Sequence, residues 1–141
     1  MEAAAREPRL PAKKVPGAYN KLMPIPPEVR GRKYISLATM RKNGATVWTP
    51  LWFGEDDDNL YVMTRSDSGK YKRIRNNPRV RVAPCTMRGK IVGPEFAAEA
   101  RILPAEEWLR ARKTIERKYW LTRITFLWSK KNVYLEIRIS S

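Results

Sequence analysis

Asn43-Gly44 stands between two strand-like runs, and an Asn-Gly pair so placed is the strongest short-range signal for a β-hairpin. Before it, Tyr34–Met40 reads as a strand. After it, residues 45–53 alternate, with Val47, Thr49, Leu51 and Phe53 on one face and Thr46, Trp48, Pro50 and Trp52 on the other. Glu55–Asn59 is a polar turn, and Leu60–Thr64 reads as a returning strand. Three such runs joined by tight turns predict an antiparallel meander.

The next segment changes period. Ser66, Asp67 and Ser68 are all good helix N-caps, and Asn77-Pro78 is a good stop. A helix of two or three turns is expected between them, with Tyr71 and Ile74 toward the core. Arg79–Ala83 and Phe96–Ile102 read as a fourth and fifth strand, the latter with Phe96, Ala98, Ala100 and Ile102 inward. Leu103-Pro104 is expected to open a longer helix, with Pro at its first position and Glu106-Glu107 in its first turn. Trp108, Ala111, Ile115 and Tyr119 form its apolar stripe; Arg110, Arg112, Lys113, Arg117 and Lys118 form a basic face. Thr125–Trp128 reads as a helical turn or an edge segment, and Val133–Ile139 as the last strand.

The expected fold is therefore mainly β, six antiparallel strands in a small closed barrel. One short helix follows the third strand and one longer helix precedes the last. Residues 28–141 form this domain. Residues 1–27, interrupted by Pro8, Pro11, Pro16, Pro24, Pro26 and Pro27, read as a basic, partly disordered arm.

Composition narrows the chemistry. The 141 residues include no histidine and one cysteine, Cys85. That removes the usual general base, imidazole-dependent triads, most zinc sites and any internal disulfide. No catalytic side chain and no metal site is expected, so difficult chemistry would belong to a bound cofactor. Lys and Arg number 29 against 14 Asp and Glu, a formal charge of +15. Such a charge concentrates polyanions, without choosing among nucleic acid, an anionic membrane and a phosphorylated cofactor. No stretch approaches the roughly 18 apolar residues of a membrane span. The first residues carry no apolar run of a secretory signal, so a cytoplasmic protein is the expectation.

Thr64 to Arg75 is the strongest site candidate. A strand ending in Thr64-Arg65 turns through Ser68-Gly69 into a helix bearing Lys70 and Arg73. Helix N-termini offer free backbone N–H groups and a positive dipole end, and the cations add formal charge. The competing explanation is a capped helix with a solvated basic face. Trp48 and Trp52 could wall a flat heteroaromatic ring and Thr49 could bond its edge, or both Trp could be core or interface residues. Cys85 reads as inert packing, and Asp56-Asp57-Asp58 as a solvated turn.

Several blocks keep order and spacing with a known family: Leu37–Gly44, Thr49–Phe53, Leu60–Arg65, Ser68–Arg73, Asn77–Val80 and Ala83–Cys85. Together they resemble the pyridoxamine-phosphate-oxidase-like split-barrel superfamily, which implies a six-stranded antiparallel split β-barrel. More narrowly, they are similar to its deazaflavin-dependent (coenzyme F420-dependent) reductases. The resemblance implies a homodimer with two cofactor sites at the subunit interface. It implies a cofactor phosphate on Thr64, Arg65, Ser68, Gly69, Lys70 and Arg73. It also implies a ring near Thr49, Pro50, Leu51 and Trp52, with Pro84 and Cys85 nearby and Trp48 and Trp52 walling the substrate. The implied activity is hydride transfer between reduced F420 and a small unsaturated or electrophilic organic substrate. Related barrels holding flavin mononucleotide (FMN), as oxidase, reductase or flavin carrier, are the alternative. A storage role without turnover and a basic nucleic-acid-binding module are further readings, although no nucleic-acid motif is present.

Overall fold

The computed structural model describes residues 23–119 and 131–140, so most of the proline-rich arm and the Thr125–Trp128 segment lie outside the described residues. The strands are β1 (Tyr34–Met40), β2 (Thr46–Trp52), β3 (Gly54–Glu55), β4 (Leu60–Arg65), β5 (Arg79–Pro84), β6 (Phe96–Ile102) and β7 (Asn132–Ile139). Helix α1 (Gly69–Asn76) follows β4, and α2 (Trp108–Lys118) precedes β7. The class is the expected one, mainly β and antiparallel with two helices.

The Asn43-Gly44 hairpin forms as a three-residue loop. Arg41 N–H donates to the Ala45 carbonyl at 2.8 Å and Gly44 N–H to the Arg41 carbonyl at 2.9 Å. Gly44 takes φ +90°, a conformation that glycine adopts at little cost. Beyond it the meander ends. The strand at Leu60–Arg65 does not lie beside β2; it pairs with β7, Leu60 opposite Ile137 and Thr64 opposite Val133. The sheet order is β2-β1-β5-β6-β7-β4-β3, with seven strands because the two-residue β3 joins β4.

Consecutive strands β2 and β3 are thus the two ends of the sheet, separated by Phe53 alone. Two Cα atoms one residue apart lie at most ~7 Å from each other, so the sheet must curl until its edges meet. The expected closed barrel is closed by the chain at Phe53 rather than by strand pairing between its edges. Ile35, Leu37, Phe53, Leu60, Val62, Val80, Val82, Leu135 and Ile137 fill the interior. Ile74 of α1 caps one end, while Ile25 and Val29 of the entering segment join the same core.

Helix α2 covers the opposite face of β4 and β7, packing Ala111 and Ile115 on Tyr61, Leu103 and Tyr134. Pro104 does not occupy its first position. A 3-10 turn at Ala105–Glu107 intervenes, and the α-helix begins at Trp108, whose indole N–H donates to the Leu103 carbonyl at 2.9 Å. The apolar stripe faces inward as expected. Its basic face is less solvated than expected. Lys118 turns inward to Glu55, 3.7 Å above the Phe53 ring, and Arg110 reaches Glu136, which is 1% exposed.

Candidate functional site

Ser68 caps α1 from extended backbone (φ −81°, ψ 156°), its Oγ accepting from the Tyr71 N–H at 3.2 Å. The same oxygen lies 3.0 Å from Thr64 Oγ1, tying the end of β4 to the start of the helix. Of the three capping candidates, Ser68 takes the role. Arg65 instead makes a two-pronged bond to Asp67, both contacts at 3.0 Å. That bond holds Asp67 down to about 2.

Arg73 decides the geometry. Its Nε donates to Thr39 Oγ1 of β1 at 2.7 Å. One end of its guanidinium lies so near Gly69 that a Cβ there would sit 2.7 Å from Nη1. The side chain therefore folds back from the last turn of α1 to its first. Basic groups are favourable at helix C-termini and unfavourable at N-termini, where the macrodipole is positive. Lys70 is half-buried beside it, and burial, then the neighbouring Arg73 charge, lowers its pKa. Among the described residues no carboxylate pairs with Lys70 or Arg73. Two cations and a helix N-terminus converge with no counter-ion among the described residues, an arrangement that an anion would relieve. Thr64, Ser68, Gly69, Lys70 and Arg73 are thus brought together; Arg65 stands beside them with its guanidinium engaged.

Thr39 was not among the sequence candidates. Its signal was a hydroxyl ending the core-facing row Ile35, Leu37, Thr39. Thr39 lies opposite Val47, and Thr49 opposite Leu37. Thr49 is therefore a diagonal neighbour of Thr39 on the same face, with a Cα separation of about 7–8 Å. Leu51 continues this row and packs on the core. Trp48, Pro50 and Trp52 project from the other face of β2, opposite Ala38, Ser36 and Tyr34. Trp52 stacks on Tyr119 with ring centroids 5.3 Å apart, and Tyr34 tilts against it at 6.3 Å. Pro84 pairs with Ile35, and Cys85 is buried, its thiol pKa raised by burial against the opposing charge of Arg32. A cavity of about 280 Å³ opens beside Arg73 between Met40, Arg41, Lys42, Asn76 and Asn77. It contains cations and amides and no carboxylate.

The sequence matches the pyridoxamine 5'-phosphate oxidase family over residues 26–138 of 141. No curated protein matches it. Among solved structures, a protein of unknown function from Agrobacterium tumefaciens superposes with a TM-score of 0.66 at 13% identity. That match covers 78% of this chain and 49% of the other, so the chain spans about half its length. HutZ, the heme storage protein from Vibrio cholerae, gives 0.66 at 13% identity, covering 79% and 84%. A proposed pyridoxamine 5'-phosphate oxidase from Listeria innocua gives 0.57 at 18%, covering 78% and 86%. Identities this low carry the fold alone.

Proposed function

The chain belongs to the pyridoxamine 5'-phosphate oxidase family, and from that premise we propose that it is an F420-dependent oxidoreductase. In this reading it moves a hydride between reduced F420 and a small unsaturated or electrophilic organic substrate in the cytoplasm. One observation carries the reading. Arg73 is folded back onto Gly69 and anchored by Thr39, so that it and Lys70 meet the N-terminus of α1, with no carboxylate paired to either among the described residues. The residues fit a phosphate, because Ser68, the helix N–H groups and both cations are donors of the kind that hold one.

In this reading Thr49, Pro50, Leu51 and Trp52 would hold the ring, with Pro84, Cys85 and Trp48 nearby. When bound, the deazaflavin supplies the hydride. The chain's own residues bind its phosphate, orient its ring and exclude water; no side chain here needs to act as acid or base. Arg65 and Gly69 are exposed and Lys70 half-buried, leaving the cradle at the surface of one chain, where a second copy closes the site in a homodimer. Arg41 and Lys42 beyond Arg73 support F420, whose acidic tail continues past its phosphate.

FMN is the second reading, favoured by a cradle that would take a phosphate monoester equally well. Heme, which the Vibrio neighbour's name mentions, would find no histidine for its iron here. Fluorescence titration of the purified chain with F420 and with FMN separates the first two readings. Tighter F420 binding is expected, and tighter FMN binding would select the second. Charge-assisted bonds contribute about 1.5–3 kcal/mol each, so the Lys70→Ala/Arg73→Ala variant should bind at least about a hundredfold more weakly. Unchanged affinity in that variant would remove the site assignment.

A further inference from the structure

Near the opposite end of β1 from Thr39 is a cavity of about 560 Å³, of whose lining the reading above uses Cys85 alone. It lies between the segment entering β1 (Pro27–Tyr34) and Cys85-Thr86 at the end of β5. Its lining carries Arg30, Arg32 and Lys33 against one acid, Glu28. The segment is a fixed scaffold. Val29 is buried in the core, and the Arg30 guanidinium donates to the Asp56 and Asp57 carbonyls at 3.2 and 3.0 Å. Gly31 N–H donates to Glu55 Oε2 at 2.6 Å, and the Lys33 carbonyl accepts from Tyr119 Oη at 2.8 Å.

Between these anchors, Arg32 and Lys33 are exposed and make no ion pair among the described residues. Arg32 does reach a backbone carbonyl, that of Glu28, at 3.4 Å. The cavity therefore has two cations on an anchored backbone, neither in an ion pair among the described residues, with the Thr86 hydroxyl on its wall. It also has a position relative to the cradle. Tyr34 is five residues from Thr39 along β1, about 17 Å at strand rise. Tyr34 lies opposite Trp52, so the cavity adjoins the far end of the β2 segment assigned to the ring.

We propose that this cavity is the substrate's anion subsite, in which Arg32 and Lys33 hold a carboxylate or phosphate group of the molecule reduced at the ring. The proposal rests on the cofactor reading above and adds a substrate class to it: small organic acids or phosphate esters rather than neutral compounds. The size of the cavity suits such a molecule, since small-molecule sites run to about 300–1,000 Å³. An acidic cofactor tail has the same chemistry, and the test must distinguish the two sources.

Citrate serves as the polycarboxylate probe, titrated by calorimetry into the full chain, Arg32→Ala/Lys33→Ala and Lys70→Ala/Arg73→Ala. Losing two charge-assisted contacts should weaken citrate at least about tenfold in Arg32→Ala/Lys33→Ala. The Lys70→Ala/Arg73→Ala variant should lose any citrate held at the cradle and keep the binding that Arg32→Ala/Lys33→Ala removes. Equal citrate affinity in the parent and Arg32→Ala/Lys33→Ala, or no citrate binding by the parent, would overturn the subsite. F420 and FMN titrations of Arg32→Ala/Lys33→Ala supply the second arm. Unchanged affinities are expected, and a selective loss of F420 would hand the cavity to the cofactor tail and overturn the substrate assignment. Failure of the cofactor reading would show separately, as unchanged cofactor affinity in Lys70→Ala/Arg73→Ala.

Discussion

Arg73 and Thr39, 34 residues apart in sequence, meet through a 2.7 Å bond from Nε to Oγ1. The bond holds a guanidinium over the first turn of its own helix, against the preference of the helix dipole. Thr39→Val keeps shape and removes the acceptor. Cofactor affinity should fall about five- to tenfold, corresponding to about 1–1.4 kcal/mol for one hydrogen bond. Thermal denaturation beside the titration separates this loss from unfolding.

Gly69→Ala should divide affinity from stability. The new Cβ would press on the end of the Arg73 side chain, which can move aside. Gly69 is not among the positive-φ glycines, so alanine at the helix start should leave stability unchanged or raise it by about 0.4–1 kcal/mol. Phosphate-dependent cofactor binding should weaken. A variant that melts no lower but binds as tightly as the parent would contradict the placement of Arg73.

Lys70 sets a pH dependence. Burial and Arg73 lower its pKa from the ordinary lysine value, and a bound phosphate would favour its charged form. Affinity is therefore full below the lowered pKa and declines as pH rises through it. The decline should begin at lower pH than an ordinary lysine would give, and should disappear in Lys70→Ala. Dissociation constants measured across the alkaline range provide the check.

Gly54 fixes how closely α2 approaches β3. A Cβ there would stand 2.9 Å from Ile115 Cα and 3.0 Å from its backbone nitrogen, and backbone cannot swing aside as a side chain can. Gly54→Ala should destabilise the fold by about 1–3 kcal/mol, the usual range for overpacking, in chemical denaturation.

Glu136 is 1% exposed and receives Arg101, Arg110 and Arg138 at 3.1–3.2 Å, together with the Tyr61 hydroxyl at 3.3 Å. Glu136→Gln removes the charge from this cluster and leaves three guanidinium groups facing an amide. Breaking a buried pair costs about 3–5 kcal/mol, and the partners' partial exposure reduces that to about 2–3. Urea denaturation should show the loss without a change in cofactor affinity.

Much of this arrangement was legible locally. Asn43-Gly44 specified its hairpin because few residues accept a positive φ in a tight loop. The run Ser66, Asp67, Ser68 announced the start of α1 because such side chains satisfy an amide that the helix cannot, and the structure chose Ser68 among them. Alternation in β2 and β6 follows from the two-residue period of a pleated strand, and the chain carries it without help from elsewhere. These are interactions between residues a few positions apart.

Long-range partners were decided by the tertiary structure. Periodicity says which side chains of Leu60–Arg65 face the core but not which strand lies beside them, and β7 won over β2 because the sheet had to curl around one apolar interior. The two-residue β3 is too short to have a period. Pro104 yielded the helix start to Trp108 once the indole found the Leu103 carbonyl. Lys118 left its solvated face because Glu55 and the Phe53 ring waited beneath it. The sequence alone placed Ser68, Gly69, Lys70 and Arg73 on one turn-and-helix segment. Only the curl of the sheet, which carries β1 against α1, supplied Thr39 and turned Arg73 back toward the helix N-terminus.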